Sequence, residues 1–339
     1  MASSNGPPEP DWSALNLVGR STVFRDMLAL LQQCAGVDAT VLLCGETGTG
    51  KELAARAIHY LSDRRSGPFV PVNCGAIPDS ILEAELFGHV RGAFTDAKAA
   101  GRGVVGLAEG GTLFLDEVDS LSPRAQSALL RFVQDHRYRA LGGARIEQAD
   151  LRLVAATNAD LEALAGRGLF RQDLLYRLNV LSVALPPLRE RPGDALLLAE
   201  AFVQRLVSQY RTGPRHLCPA SRAHLGLPLP WPGNVRELEH RVHRAFLLAQ
   251  GERLDLHLDT LAGAQAPRSD ALDAPAAPAV DASYDAAKAR AIECFERAYL
   301  AEVLRRAGGN LSLAARLAGK ERSRFGKLVR KHGLQRAAG

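Results

Sequence analysis

Two short stretches carry residue types that could do chemistry together. The first is GETGTGKE, Gly45–Glu52, which directly follows the apolar run VLLC. Glycines at 45, 48 and 50 let the chain turn through conformations closed to other residues, so the backbone N–H groups of Gly45, Glu46, Thr47, Gly48, Thr49 and Gly50 can converge on one point. Such a nest of donors suits phosphate oxygens, and a helix starting at the end of the loop adds partial positive charge at the same place. Lys51 can then reach the β- and γ-phosphates of a nucleotide. The position after the lysine usually holds a Ser or Thr that ligates Mg²⁺; here it is Glu52, so that hydroxyl must come from elsewhere, with Thr49 as the candidate. A glycine-rich turn with an accidental lysine is the bland alternative, and the flanking strand and helix argue against it.

The second stretch is GGTLFLDE, Gly110–Glu117, an apolar run ending in two adjacent carboxylates. Asp116 can hold Mg²⁺ directly or through water, and Glu117 can orient or deprotonate an attacking water. Adjacent strand residues point to opposite faces, which would let the two acids do different jobs. Alone, an Asp-Glu pair after a buried strand is often a helix N-cap. Downstream of a phosphate loop, nucleotide hydrolysis becomes the better reading.

These loops need a sheet to hold them. From Leu17 to about Leu188 short apolar runs alternate with amphipathic stretches, the pattern of a parallel sheet wrapped by helices. The expected strands are Val41–Gly45, Pro68–Cys74, Thr112–Glu117 and Leu151–Asn158, with helices over Glu52–Leu61 and Pro123–Gln134. Residues 1–15 are Pro-rich and polar and read as a disordered leader, with an α/β subdomain over 16–190. Residues 191–262 read as helical without strands, and the Ala, Pro, Ser and Asp of 263–282 as a linker.

Residues 283–339 resume a helical pattern, with one long helix expected over Tyr284–Ala307, stopped by Gly308 and Gly309. From Tyr284 to the end there are 13 Lys and Arg against 5 Asp and Glu, so this tail carries +8 of a total of +5 and the remainder is −3. A basic terminal module on a nearly neutral body suggests a polyanion partner. Within it two short helices are joined by a turn at Gly319, with small apolar faces at Leu311, Ala314, Ala315 and Ala318 and at Phe325, Leu328 and Val329. The second helix then exposes Arg322, Ser323, Arg324, Lys327, Arg330 and Lys331, enough charge to contact phosphates and base edges of double-stranded DNA. A basic helical hairpin for protein contact is the alternative.

Composition excludes other classes. At 47% hydrophobic and 23% charged, the 339-residue chain is near the globular average, no apolar run approaches the roughly 18 residues that span a bilayer, and the N-terminus is no secretory signal. A cytoplasmic protein without a membrane partner is expected. The five cysteines never occur as CxxC, so a disulfide framework and a zinc site are both disfavoured and reduced thiols are expected. His240 and His243 lack companion ligands.

Read together, the phosphate loop, the acid pair and ELFGHVRGAFTDA, Glu85–Ala97, resemble the bacterial enhancer-binding proteins, AAA+ activators of sigma-54 RNA polymerase. The resemblance runs from Leu17 to Leu334. It implies an α/β AAA+ P-loop NTPase with a parallel sheet, a helical lid subdomain and a C-terminal all-α helix-turn-helix of the Fis type, with ATP and Mg²⁺ as cofactors. It also implies that Gly92, Ala93, Phe94, Thr95, Asp96 and Ala97 form the sigma-54 contact, with Phe94 and Thr95 at the tip. The family's GAFTGA has glycine where Asp96 adds a charge and restricts the backbone. By the same resemblance Asn73 restrains the catalytic Glu117, Asn158 in AATN senses the γ-phosphate, and Arg236 in WPGNVREL contacts bound nucleotide from the lid. Arg171 and Arg177, in FRQDLLYRLNV, match the arginines that reach the γ-phosphate of a neighbouring subunit, which implies a homo-oligomeric ring, a hexamer in the family.

The resemblance also implies binding to enhancer DNA and ATP-driven remodelling of the closed sigma-54 RNA polymerase complex. The competing reading is a DNA-binding regulator that does not remodel sigma-54, for which Asp96 is the support. Only about 16 residues precede LVGRS, so regulation in trans, by a partner protein or by expression level, is expected in place of a sensory domain ahead of the ATPase.

Overall fold

Phe24, Met27, Leu28 and Leu31 recur at helical spacing and are buried on one face of α1, Thr22–Ala35. In the computed structural model the described residues are 10–93, 99–256, 300, 303, 304, 307, 310–318 and 322–331. The chain divides into two units, Met1–Ala262 and Gly263–Gly339.

In the first unit the strands are β1 Val41–Cys44, β2 Phe69–Asn73, β3 Thr112–Asp116, β4 Arg137–Tyr138, β5 Glu147–Gln148, β6 Arg152–Thr157 and β7 Leu181–Ala184. Five of them form a parallel sheet in the order β2-β3-β6-β1-β7, while β4 and β5 make a separate antiparallel pair. Parallel strands covered on both faces need apolar side chains throughout, and every residue of β6 is buried. Alternation along β3 sends Leu113 and Leu115 to one core with Leu129, Phe132 and Leu174, and Phe114 to the other with Leu31, Leu43 and Ile58. The other helices of this part are α2 Lys51–Tyr60, α3 Asp79–Phe87, α4 Val104–Leu107, α5 Pro123–Asp135, α6 Leu161–Gly166 and α7 Gln172–Leu178.

The sheet strands end about one residue earlier than sequence alone indicates, because the chain turns sharply where β1, β3 and β6 deliver their loops. At the other end Arg152 is buried and donates to the carbonyls of Cys34 (2.6 Å), Ala35 (3.2 Å) and Ala39 (3.3 Å). A cation on the last carbonyls of a helix complements its dipole, so β6 and α1 are tied together. Trp12 and Leu15, within the stretch read as a leader, pack against the Leu31 core.

The helical part of this unit comprises α8 Asp194–Tyr210, α9 Pro219–Leu225 and α10 Asn234–Leu248, around Leu198, Val203, Trp231, Leu238, Val242 and Phe246. It is not free of strands: β8 His216–Leu217 pairs in parallel with β9 Arg253–Leu254, a pair too short to leave an alternation in the sequence. A buried ion pair joins this lid to the start of the chain. Arg191 Nε lies 3.0 Å from Asp194 Oδ2, and Asp194 also accepts from the N–H groups of Arg20 (2.6 Å) and Ser21 (3.0 Å). Arg191 stacks 3.7 Å from the Phe24 ring centroid and donates to the Val18 carbonyl at 2.7 Å.

In the second unit, α11 Leu311–Leu317 is capped by Asn310, whose side chain accepts from the N–H groups of Ser312 and Leu313. Ala314 and Ala315 on α11 and Phe325 and Val329 on α12, Arg322–Lys331, are buried with Leu300, Val303 and Ala307. Arg322, Ser323, Lys327, Arg330 and Lys331 are exposed on α12, which also carries Arg324. The linker over 263–282, Gly308, Gly309, Gly319 and most of the helix expected over Tyr284–Ala307 lie outside the described residues. Among the described residues no helix is long and apolar enough to cross a membrane.

Candidate nucleotide-binding site

The loop between β1 and α2 requires its glycines. Gly48 and Gly50 sit at φ +80° and +100°, in the left-handed region that favours glycine, and Gly50 hands the chain to α2 with no side chain capping the helix. The first N–H groups of α2 are therefore directed at the loop, as a phosphate cradle needs. Lys51 is half-buried and its Nζ donates across the loop to the carbonyls of Gly45 (2.7 Å) and Glu46 (3.2 Å). Burial lowers its pKa, and the charges of Asp116, Asp119 and Glu117 oppose that shift. The Thr49 hydroxyl donates to the Glu46 carbonyl at 2.8 Å, so it stabilises the loop itself.

The lid closes one side of this loop. A Cβ at Gly48 would fall 2.3 Å from the Gly233 carbonyl oxygen, and the Gly48 carbonyl accepts from the N–H groups of Val235 (3.0 Å) and Arg236 (3.4 Å) at the start of α10. Asn234, fully buried, donates to the Thr47 carbonyl and to Glu46 Oε2, both at 3.1 Å. Glu46 therefore faces the lid: Arg189 grips it at 2.7 and 2.8 Å, and the hydrogen bonds from Arg189 and then Asn234 hold its carboxyl down at about 2. Arg189 lies in no motif singled out in the sequence, and Asn234 lies in WPGNVREL without having been assigned a role there. Glu52 is exposed and paired with Arg56 at 2.7 Å, and the Arg236 side chain is exposed at the first turn of α10.

The two acids separate for a different reason from strand alternation. Asp116 is the last residue of β3, where burial raises its pKa against the lowering effects of the Glu117 N–H and of Lys51. Glu117 has left the strand at φ +56°, a conformation costing a non-glycine residue roughly 1–2 kcal/mol. That turn swings its carboxylate over Gly75, where a Cβ would come 2.5 Å from Glu117 Oε2. Asn73, opposite Asp116 in the β2–β3 register, caps the same turn by accepting from the N–H groups of Gly75 (2.8 Å) and Ala76 (3.1 Å). Asn73 thus shapes the turn beneath Glu117. Neighbouring Cys74 is pushed up to about 12 by burial, with Asp116, Asp119 and Glu117 adding to the effect, so it stays a thiol.

Asn158 follows β6, and its Nδ2 donates to Thr47 Oγ1 at 3.1 Å, which brings it to the phosphate loop. Arg171, at the N-cap of α7, and Arg177, within that helix, are both exposed. Arg171 pairs with Asp173 at 2.7 Å, and an exposed pair of this kind is worth little and opens readily. Its N–H donates to Gln126 Oε1 (2.8 Å), and buried Gln126 also donates to the Leu121 carbonyl at 2.9 Å. Gln126, absent from the sequence reading, pins the start of α7 to α5.

The stem of the Glu85–Ala97 segment is built against a second loop. His89 and Gly101 exchange both backbone hydrogen bonds at 2.9 Å, and the Val90 N–H donates to the Leu141 carbonyl at 3.0 Å. A Cβ at Gly142 would meet Val90 Cγ2 and Ala93 Cβ at 3.1 Å each, so the turn between β4 and β5 supports the stem directly. Gly92 and Ala93 close that stem; Phe94, Thr95, Asp96 and Ala97 lie outside the described residues.

A convergent N–H cradle, a half-buried lysine and two carboxylates at the end of β3 fit a nucleoside triphosphate with Mg²⁺. Comparison with known proteins agrees with that geometry. Residues 17–184 match the family described as the sigma-54 interaction domain, and residues 189–272 match the AAA+ ATPase lid domain. The chain is 48% identical over 246 residues to the sigma54-dependent transcriptional activator SfnR of Pseudomonas putida, covering 71% of this chain and 67% of SfnR. It is 47% identical over 244 residues to the DNA-binding transcriptional activator HyfR of Escherichia coli K12, covering 72% of this chain but spanning only 36% of HyfR. Among solved structures, NtrX from Brucella abortus in complex with ADP superposes with a TM-score of 0.69 at 33% identity, covering 94% of this chain and 69% of that one.

Proposed function

From the membership of this chain in the family of sigma-54-dependent transcriptional activators, we propose that it is an ATP-driven activator that binds enhancer DNA and remodels the closed sigma-54 RNA polymerase complex from a homo-oligomeric ring in the cytoplasm. The observation that carries this reading is the meeting of Lys51, Asp116, Glu117 and Asn158 at one end of the sheet, on the loops that leave β1, β3 and β6. The loop N–H groups and Lys51 bind the triphosphate. Glu117 aligns the attacking water and takes its proton, while Asn73 keeps the turn under Glu117 in shape. Asn158 reads the γ-phosphate, Arg236 contacts the nucleotide from the lid, and Arg171 and Arg177 reach the γ-phosphate of the adjacent protomer. Bound Mg²⁺, held by Asp116, would neutralise charge on the β- and γ-phosphate oxygens.

The direct test is open-complex formation on a sigma-54 promoter by purified polymerase, this protein and ATP. Thr95→Ala should leave ATP hydrolysis intact and reduce open complex by about tenfold or more, as expected for loss of a contact at the tip of a small interface. Equal open-complex yield from the variant would remove Thr95 from that contact.

Positive charge on α12 supports DNA binding by the second unit. Arg324→Ala should weaken enhancer binding by about 1–3 kcal/mol in a footprinting titration at fixed salt while ATP turnover is unchanged. An unaltered footprint would place Arg324 outside the interface.

A further inference from the structure

A third acid stands close to the pair and has no role in the scheme above. Asp119 lies in the short 3-10 turn Val118–Ser120 that follows Glu117, and its Oδ1 accepts from Thr157 Oγ1 at 2.6 Å. Thr157 is fully buried at the end of β6. A hydroxyl has one proton to give, and the short contact to a carboxylate claims it over the Ala159 carbonyl at 3.3 Å. The hydroxyl oxygen is then left to accept, and it does so from the Ala159 N–H at 3.0 Å. Asn158 sits between these two anchored residues, and its amide reaches Thr47 of the phosphate loop at 3.1 Å. The Thr157 carbonyl meanwhile accepts from the Gly45 N–H at 3.2 Å. Acid turn, strand end and phosphate loop are thus joined by a continuous run of hydrogen bonds that starts at Asp119.

We propose that Asp119 is a positioning residue: by fixing the Thr157 hydroxyl it sets the turn at Ala159 and so holds the Asn158 amide in place against the phosphate loop. The role of Asn158 in turnover rests on the hydrolysis reading above; the anchoring of its turn does not. Asp119 does not touch the nucleotide. It acts by removing rotational freedom from a hydroxyl whose misorientation would leave the Ala159 N–H without a partner and let Asn158 drift. An asparagine at 119 keeps an acceptor oxygen at the same place, whereas alanine leaves the hydroxyl without one.

The experiment uses the full chain and two readouts. In hydrogen–deuterium exchange, Asp119→Ala should raise early uptake in peptides covering 154–161 while those covering β1 and α5 match wild type. In steady-state ATP turnover the same variant should lose roughly 10- to 100-fold in kcat with KM for MgATP within about threefold, the pattern of a displaced supporting group. Asp119→Asn should keep wild-type exchange and most of kcat. Thr157→Val, nearly the same shape, should reproduce the alanine result even if Asp119→Ala folds poorly, and the double variant should lose no more than either single one. Unchanged exchange over 154–161 in Asp119→Ala, an Asn variant as impaired as Ala, increased exchange with normal kcat, or multiplicative losses in the double variant would each overturn the proposal. A wild-type chain that turned over no ATP would remove the hydrolysis reading, and the exchange comparison would still decide whether Asp119 holds the turn.

Discussion

Lys51→Ala is expected to abolish measurable ATP binding. The lysine is half-buried, its ammonium bridges the carbonyls of Gly45 and Glu46, and the charges of Asp116, Asp119 and Glu117 all act on it. Alanine removes a cation that sits among these carboxylates, so an incoming triphosphate meets uncompensated negative charge in a partly desolvated site. Removing one member of such a buried charge arrangement costs about 3 kcal/mol or more, which is a loss of more than about 100-fold in affinity. Calorimetric titration with ATP measures it, with thermal unfolding as the control, because the backbone of the loop is still held by Gly48, Asn234 and Thr49. ATP affinity equal to wild type would refute the assignment of the loop.

Glu117→Gln should give the opposite division: nucleotide still binds and turnover stops. Gln matches Glu in shape, so the left-handed turn at 117 and its seat over Gly75 survive. What disappears is the basic oxygen that can take a proton from water, a contribution usually worth about 10²- to 10⁴-fold in rate. Nucleotide affinity by titration and single-turnover hydrolysis by chemical quench separate the two effects. Hydrolysis at the wild-type rate would exclude Glu117 as the general base. A glycine or asparagine would be easier to hold at φ +56°, so glutamate stands at this position at an energetic cost.

The lid contacts give these two predictions a common setting. Glu46 points at Arg189, and Gly48 at Gly233, so the loop that would hold the triphosphate is also the loop that holds the lid. Charge entering the cradle therefore acts on the same backbone that Asn234 and the start of α10 grip. Lys51→Ala leaves these contacts in place, which is why its effect should fall on binding and spare folding.

Much of this was legible in the residues themselves. Gly48 and Gly50 announce positive φ, because only glycine takes those angles without strain, and an apolar run before them with an amphipathic run after them marks a strand and a helix. TLFLD reads as a strand because a parallel strand buried on both faces must be apolar along its whole length. The alanines at 314 and 315 and Phe325 reveal the buried faces of α11 and α12 by spacing alone. These are local properties, set by backbone sterics and periodicity, and a sequence carries them directly. The chain order cannot say that β6 lies between β3 and β1, and every cross-link that follows from that order is invisible beforehand. Asp119 meets Thr157 across 38 positions, Gln126 meets Arg171 across 45, and Arg189 and Asn234 meet Glu46 across 143 and 188. The left-handed turn at Glu117 belongs to the same class, since the residue type argues against it and only the packed turn beneath it holds it there. A hydrogen bond needs its partner placed to within a few tenths of an ångström. Which residues achieve that is decided by how the strands stack and where the lid rests, so tertiary structure alone turns a list of suitable side chains into a site.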